Sequence, residues 1–187
     1  YYPGEVNLRL ADVVVLNKID TADRAGIEAE LEAVRSVNPD AQVIMAASPV
    51  TVDDPAAVKG KRVLVVEDGP TLTHGEMKYG AGTVAARQLG AGEFIDPRPF
   101  AAGEIKATFE KYPGVGTLLP AMGYSDEQLK DLEATINASG AELVVIGTPM
   151  DLRRIIDIKL PAVQVGYDVQ EIGSPTLEDV LRERGFI

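Results

Sequence analysis

The sequence predicts an α/β protein built on a parallel sheet in three layers. Two observations carry this prediction. Short runs of Val, Ile and Leu alternate along the chain with segments whose apolar residues recur at helical spacing. The connections between most of them are short, as in strand–helix–strand units with right-handed crossovers. Ligands of such sheets bind beyond the carboxyl ends of the strands, so the loops that follow the strands are the segments to search for chemistry.

The predicted strands are apolar runs of three to six residues, rich in β-branched side chains. Runs of this kind are typical of strands that helices cover on both faces. The predicted strands are residues 11–16, 42–46, 62–66, 93–95, 117–119, 142–146 and 162–165.

The predicted helices show apolar residues three or four positions apart. The clearest start is Ser125, because Gln128 three residues later completes a capping box. The connector at residues 48–61 contains Pro and Asp and is the main internal boundary, so we predict domains at 1–58 and 59–187. The predicted helices are residues 23–37, 80–89, 102–112, 125–137, 151–156 and 177–184.

Composition excludes several classes of function. The 187 residues carry 18 basic and 29 acidic side chains, a net charge of −11, which argues against a nucleic-acid-binding surface. The absence of Cys excludes disulfides and thiolate metal sites and is typical of a cytoplasmic protein. No apolar run is long enough to span a membrane. We therefore expect a cytoplasmic protein with neither nucleic-acid nor membrane partners.

The first candidate site is Asn17-Lys18-Ile19-Asp20, which directly follows a predicted strand. This N-K-x-D pattern is the guanine-recognition motif of GTPases, because a carboxylate such as that of Asp20 accepts hydrogen bonds from two N–H groups of guanine. Lys18 would lie over the base, Asn17 would join neighbouring loops, and Ser48 after the next strand would contact the base. The alternative is a polar strand end followed by a helix-capping Asp. A phosphate-binding Walker A motif is missing from the chain and is expected upstream of it.

The second candidate site is the long Gly-rich loop that follows the strand at 62–66. Glycines before a helix leave free N–H groups at the positive end of the helix dipole, which favours an anion. His74, the single histidine, and Lys78 are the candidate catalytic residues. Two alternatives remain. In the first, Glu67 and Asp68 hold Mg²⁺ or position a nucleophile; in the second, the loop is only a structural turn. The candidate phosphate-binding residues here are Asp68, Gly69, Thr71, Thr73, Gly75, Gly80 and Gly82.

Two further strand-end loops add candidate phosphate ligands. Arg98 lies between two prolines, whose rigidity would aim its planar guanidinium at a phosphate. Thr148 follows the strand at 142–146 and is also a candidate. The alternatives are a rigid turn with a solvated Arg98 and, at the second loop, a helix cap at Asp151. The sequence leaves the metal ligands open.

Several of these segments together resemble one known family. The runs VLVVEDGPTLTHGEMKYGAG, DPRPF, LPAMGYS and GTPMDLRRI, with the opening VVVLNKID, are similar to the family related to cyclic 2,3-diphosphoglycerate synthetase, many of whose members are called predicted GTPases. The resemblance implies the back part of a P-loop NTPase core at 1–58 and a Rossmann-like domain at 59–187. It also implies phosphoryl transfer from GTP or ATP, with Mg²⁺, to a phosphorylated small-molecule acceptor.

From the motifs and the resemblance we expect part of an NTP-dependent, ligase-type phosphoryl-transfer enzyme. We expect residues 1–187 by themselves to be inactive without an upstream Walker A motif. A regulatory GTPase and a non-enzymatic module that binds a phosphorylated metabolite are the alternatives. A homodimer is a further open alternative.

Overall fold

A computed structural model describes residues 4–69 and 79–187 as a mixed α/β protein with two sheets. The described residues form two compact units. The first contains the residues up to Pro49 together with Tyr167–Ile187, and the second is Val50–Gly166.

The first unit has a three-stranded sheet in the order β1-β2-β9. Strand β1 (Val13–Leu16) pairs in parallel with β2 (Gln42–Ala47), and β9 (Gln170–Glu171) pairs antiparallel with the end of β2. Its helices are α1 (Gly4–Leu10), α2 (Arg24–Val37) and α6 (Leu177–Glu183).

Side chains at both ends of α2 form hydrogen bonds within this unit. The Asp23 carboxylate accepts a hydrogen bond from the Gly26 amide at 2.8 Å and caps the first turn. At the other end, the Asn38 amide nitrogen donates to the carbonyls of Leu8 and Ala11 at 2.9 and 2.8 Å. Asn38 therefore joins the end of α2 to the segment that leads into β1.

The second unit has a six-stranded sheet in the order β3-β8-β7-β4-β5, with β6 also paired to β4. Strand β4 pairs in parallel with β5, β6 and β7, and β7 pairs in parallel with β8. The strands are β3 (Val50–Val52), β4 (Arg62–Asp68), β5 (Glu93–Phe94), β6 (Leu119–Ala121), β7 (Leu143–Gly147) and β8 (Ala162–Tyr167). The helices of this unit are α3 (Ala81–Gln88), α4 (Gly103–Lys111) and α5 (Asp126–Ala138).

The core of the second unit lies on the two central strands. Val63, Leu64, Val65 and Val66 of β4 are at most 1% exposed, and Leu143–Ile146 of β7 are at most 2% exposed. Consecutive residues are buried, so both faces of these strands are covered. The carboxyl end of β4 is therefore held in position by the packing on both of its faces.

The structure confirms the prediction of a mixed α/β fold with mostly parallel strands. The capping box of Ser125 and Gln128 at the start of α5 is also present. The helix predicted at 151–156 is wrong, because only a 3₁₀ turn forms there, at Leu152–Arg154. The compact units also differ from the division predicted at residue 58, because β9 returns to pair with β2.

No helix among residues 4–69 and 79–187 is long and apolar enough to cross a membrane.

Candidate functional site

In the first unit, the structure brings together three of the four residues predicted to bind a nucleotide base. The Ser48 amide donates to Oδ1 of Asp20 at 3.1 Å, and the Ser48 hydroxyl donates to Oδ1 of Asn17 at 3.1 Å. The Ile19 amide donates to the Ala46 carbonyl at 3.1 Å and fixes the loop against β2. Asn17, Asp20 and Ser48 therefore form one polar cluster at the carboxyl ends of β1 and β2.

Lys18 takes an unusual backbone conformation within this cluster. Its φ of 63° is the one positive value at a described non-glycine residue. The amides of Thr21 and Ala22 both donate to the Lys18 carbonyl, at 3.2 and 3.1 Å, and hold this conformation. Left-handed backbone at a residue with a side chain is costly and is found more often at ligand sites than elsewhere.

The cluster leaves hydrogen-bonding capacity for a ligand. Asp20 is exposed, and among the described residues only its Oδ1 has a partner, the Ser48 amide. Oδ2 is thus available to accept from an N–H donor, as the base-recognition prediction requires. This geometry is compatible with that prediction, which remains a prediction.

In the second unit, the end of β4 contains a buried carboxylate that the motif analysis did not identify as an acceptor. Glu67 is 2% exposed. Its Oε1 accepts from the Thr83 amide at 2.7 Å, the Thr83 hydroxyl at 2.8 Å and the Gly80 amide at 3.2 Å. Its Oε2 accepts from the Gly82 amide at 3.4 Å. Burial raises the pKa of Glu67, and these hydrogen bonds act in the opposite direction.

Glu67 thereby occupies the N-terminus of α3. The amides of Gly80 and Gly82, which were predicted to bind phosphate, already donate to its side chain. Glycine is required at position 147 beside this carboxylate, because a Cβ there would lie 2.5 Å from Oε2 of Glu67 and 2.7 Å from the Gly82 amide nitrogen. A phosphate bound here would have to share these amides with Glu67.

Asp68, Tyr124 and Thr148 lie close together beyond Glu67. Burial and the charge of Asp68 raise the pKa of Tyr124, while the nearby Thr148 side chain lowers it. Thr148 is 1% exposed, and its hydroxyl donates to the Met150 carbonyl at 2.7 Å. Gly69 packs against β6, since a Cβ there would lie 2.6 Å from the Ala121 carbonyl oxygen. The structure therefore places Asp68, Gly69 and Thr148 near one another at the carboxyl ends of neighbouring parallel strands.

Arg98 makes its described hydrogen bonds with a neighbouring carboxylate. Its Nε donates to Oδ1 of Asp96 at 2.9 Å, and its Nη2 donates to Oδ2. This pairing lowers the pKa of Asp96. The guanidinium of Arg98 is thus already paired with the Asp96 carboxylate. A phosphate would have to compete with Asp96 for this guanidinium.

The remaining predicted site residues lie outside the described residues: Thr71, Thr73, His74, Gly75 and Lys78. Within residues 4–69 and 79–187, no group of three or more His, Cys, Asp or Glu side chains is arranged to hold a metal ion.

Comparison with known proteins identifies a similar protein. No protein-family model matches the chain. The chain is 58% identical, over 183 residues, to a protein of Thermococcus kodakarensis named "Arginine synthetase ArcE". The match covers 98% of this chain and 41% of that protein, so the chain spans about two fifths of the length of its relative.

This similarity corrects the function expected from the motifs. The relative bears the name of an arginine synthetase, so the assignment to the family of cyclic 2,3-diphosphoglycerate synthetase is wrong, as are the GTPase and phosphoglycerate functions. The physical reason is that N-K-x-D and a Gly-rich loop describe how a nucleotide or an anion is held. Neither motif specifies the molecule that reacts. The expectation of ligase-type chemistry is compatible with the relative's name.

Proposed function

We propose that this chain is part of a nucleotide-dependent synthetase that forms arginine. The observation that carries the proposal is the 58% identity to a protein named arginine synthetase, spread over 98% of the chain. Similarity of that extent includes both compact units and all the strand-end loops, whereas the N-K-x-D pattern involves only four residues.

The first unit is proposed to bind the nucleotide base. Asn17, Asp20 and Ser48 form its polar cluster, and Lys18 is held in a fixed backbone conformation beside it. The free Oδ2 of Asp20 favours a base that presents N–H donors, which guanine does with two adjacent groups. GTP and ATP are therefore the two nucleotides to compare.

The second unit is proposed to be a Rossmann-like domain whose strand-end loops bind the reacting groups. Its central parallel strands and the polar residues after β4 and β7 support this proposal. His74 and Lys78 remain the proposed catalytic residues, and the residues around Asp68 and Thr148 the proposed ligand contacts. A cytoplasmic location is part of the same proposal.

Nucleotide cleavage would supply the driving force for the proposed reaction. Forming a C–N bond of arginine at a carbon that carries oxygen requires that oxygen to leave. Phosphoryl transfer from the nucleotide to this oxygen makes it a good leaving group. A nitrogen nucleophile then attacks the carbon and loses a proton, and the oxygen departs as inorganic phosphate. Mg²⁺ is expected with the nucleotide.

The proposal is tested by measuring arginine formation by the complete protein with GTP and with ATP. We expect arginine to form with at least one of the two nucleotides. We expect Asp20→Asn to raise the KM for the preferred nucleotide at least about tenfold, because a charged acceptor is lost from the base site. Asp40→Asn, an exposed position in the same unit, is the control and should leave the KM unchanged. Absence of arginine with either nucleotide would contradict the proposal.

A further inference from the structure

A cavity that is open to solvent lies beside α3 in the second unit and has no role in the function proposed so far. Its volume is about 370 Å³, within the range of small-molecule sites. It is lined by Thr83 and Arg87 of α3, Phe94 of β5 and the loop 114–118. Thr83 also donates its hydroxyl to Glu67, so the cavity begins one side chain away from the end of β4.

Arg87 is the distinctive residue of this cavity. Its guanidinium carbon lies 5.9 Å from the ring centroid of Tyr79 and 5.9 Å from that of Phe94. Two aromatic rings at this distance hold a guanidinium in place without neutralising it. In the described part of the chain no carboxylate pairs with Arg87, whereas Arg98 and Arg153 are both paired with Asp side chains.

The loop 114–118, which also lines the cavity, offers space and a second donor. Thr117 is exposed, and no hydrogen bond to another described residue occupies its amide or hydroxyl. Gly114 and Gly116 have nothing within 4 Å of the position of a Cβ. The loop 114–118 therefore leaves space in the lining of the cavity, with donors available from Thr117.

The charge of the lining indicates which anion fits. Arg87 is the single charged side chain among the described residues that line the cavity. One guanidinium matches the charge and the planar two-oxygen geometry of a carboxylate. A phosphate carries more negative charge than one cation neutralises, in a protein whose net charge is already −11.

We propose that this cavity binds the carboxylate of an amino-acid substrate or product, with Arg87 as the residue that contacts it. Naming arginine as that amino acid rests on the proposed function. The carboxylate site itself follows from the unpaired guanidinium, the two rings and the cavity. Arg87 thereby contributes to specificity, because it separates an amino acid from the amine that lacks the carboxylate.

Calorimetric titration of the complete protein with L-arginine and with agmatine tests the proposal. Agmatine is arginine without its carboxylate. We expect the wild type to bind L-arginine at least about tenfold more tightly than agmatine, and Arg87→Gln to remove this preference. Arg24→Gln, an exposed arginine paired with Glu28 in the first unit, is the matched control and should retain it.

A second variant tests the cavity without changing its charge. Gly114→Trp adds bulk at a position with open space and should also weaken L-arginine binding at least about tenfold. If the ratio of the Kd for agmatine to the Kd for L-arginine is the same in wild type and Arg87→Gln, the proposed site is overturned. Competition by inorganic phosphate that depends on Arg87 would also overturn it, because it would show a phosphate site instead.

These outcomes are separate from the proposed function. Arginine formation with an unchanged binding preference in Arg87→Gln would overturn the carboxylate site and leave the function standing. An Arg87-dependent preference for the carboxylate in a protein that forms no arginine would support the site and overturn the function. A wild type that binds neither L-arginine nor agmatine would overturn the assignment of the cavity to arginine.

Discussion

Glu67 shows how much of the candidate site depends on a single side chain. It is the one charged side chain among the buried residues of the described chain, and four hydrogen bonds to it join the end of β4 to the start of α3. Its position at a strand end suggested metal binding or the positioning of a nucleophile. No local signal indicated that residues 13 and 16 positions later would donate to the carboxylate, because that depends on how the helix crosses the sheet.

Replacing Glu67 by Ala should destabilise the protein. The substitution leaves three backbone N–H groups and a hydroxyl without their acceptor at a buried position, so we expect the free energy of unfolding to fall by about 3 kcal/mol or more. Denaturant unfolding measures this change. Glu93→Ala, which removes an exposed carboxylate 3.2 Å from Arg62, should cost less than about 1 kcal/mol. Equal effects of the two substitutions would contradict the role given to Glu67.

His74 is the residue on which the catalytic hypothesis depends most. It is the only residue of the chain whose ordinary pKa suits proton transfer near neutral pH. We expect His74→Ala to lower the turnover of arginine formation by the complete protein at least about tenfold, with unchanged thermal stability. Unchanged turnover would exclude a catalytic role for His74.

At the scale of elements, most strands and helices were predictable and their long-range partners were not. The buried runs of β4 and β7 and the capping box of α5 are local signals, and the structure confirms all three. The pairing of β9 with β2 joins segments more than a hundred residues apart, which no local pattern specifies. The 3₁₀ turn at Leu152–Arg154 replaces a predicted helix where Arg153 is held by Asp151 and by the distant Asp53.

Arg153 joins three segments of the second unit and should make stability depend on pH. Its Nη1 donates to Asp53 at 2.7 Å, its Nε donates to Asp151 at 2.9 Å, and its Nη1 also contacts the Ala162 carbonyl. Burial opposes the effect at Asp53, but the hydrogen bond from Arg153 lowers the pKa of Asp53 below 3.8. The same side chain lowers the pKa of Asp151.

We expect Arg153→Met to lower the free energy of unfolding at pH 7 by about 1 kcal/mol, since both carboxylates are partly exposed. Carboxylates with lowered pKa values contribute stability above pH 3.8, and this contribution is lost as the pH falls through their pKa values in the folded protein. The difference between wild type and variant should therefore shrink on acidification below that pH. Urea unfolding across this range measures it.

Arg154→Met is the matched control for this measurement. Arg154 is 83% exposed and its nearest carboxylate oxygen, on Asp151, is 3.6 Å away. Its substitution should change stability by less than about 0.5 kcal/mol at any of these pH values. A constant difference between wild type and Arg153→Met from pH 7 to below pH 3.8 would contradict the linkage.

For the whole molecule, the sequence predicted a mixed α/β fold, while the function expected from its motifs was wrong. Parallel strands and polar strand-end loops follow from local patterns, and the structure brings Asn17, Asp20 and Ser48 together at the ends of β1 and β2. Cavities such as the one beside Arg87 form from residues distant in sequence, so no local pattern indicates what they bind. The proposal of arginine synthesis therefore rests on the similarity, over 98% of the chain, to a protein named arginine synthetase.

The most direct test of this account measures phosphate release and arginine formation in the same reaction of the complete protein. A synthetase couples the two, so we expect equal amounts of phosphate and arginine, with no phosphate released when the arginine precursor is withheld. Phosphate release that continues without arginine formation would contradict the account.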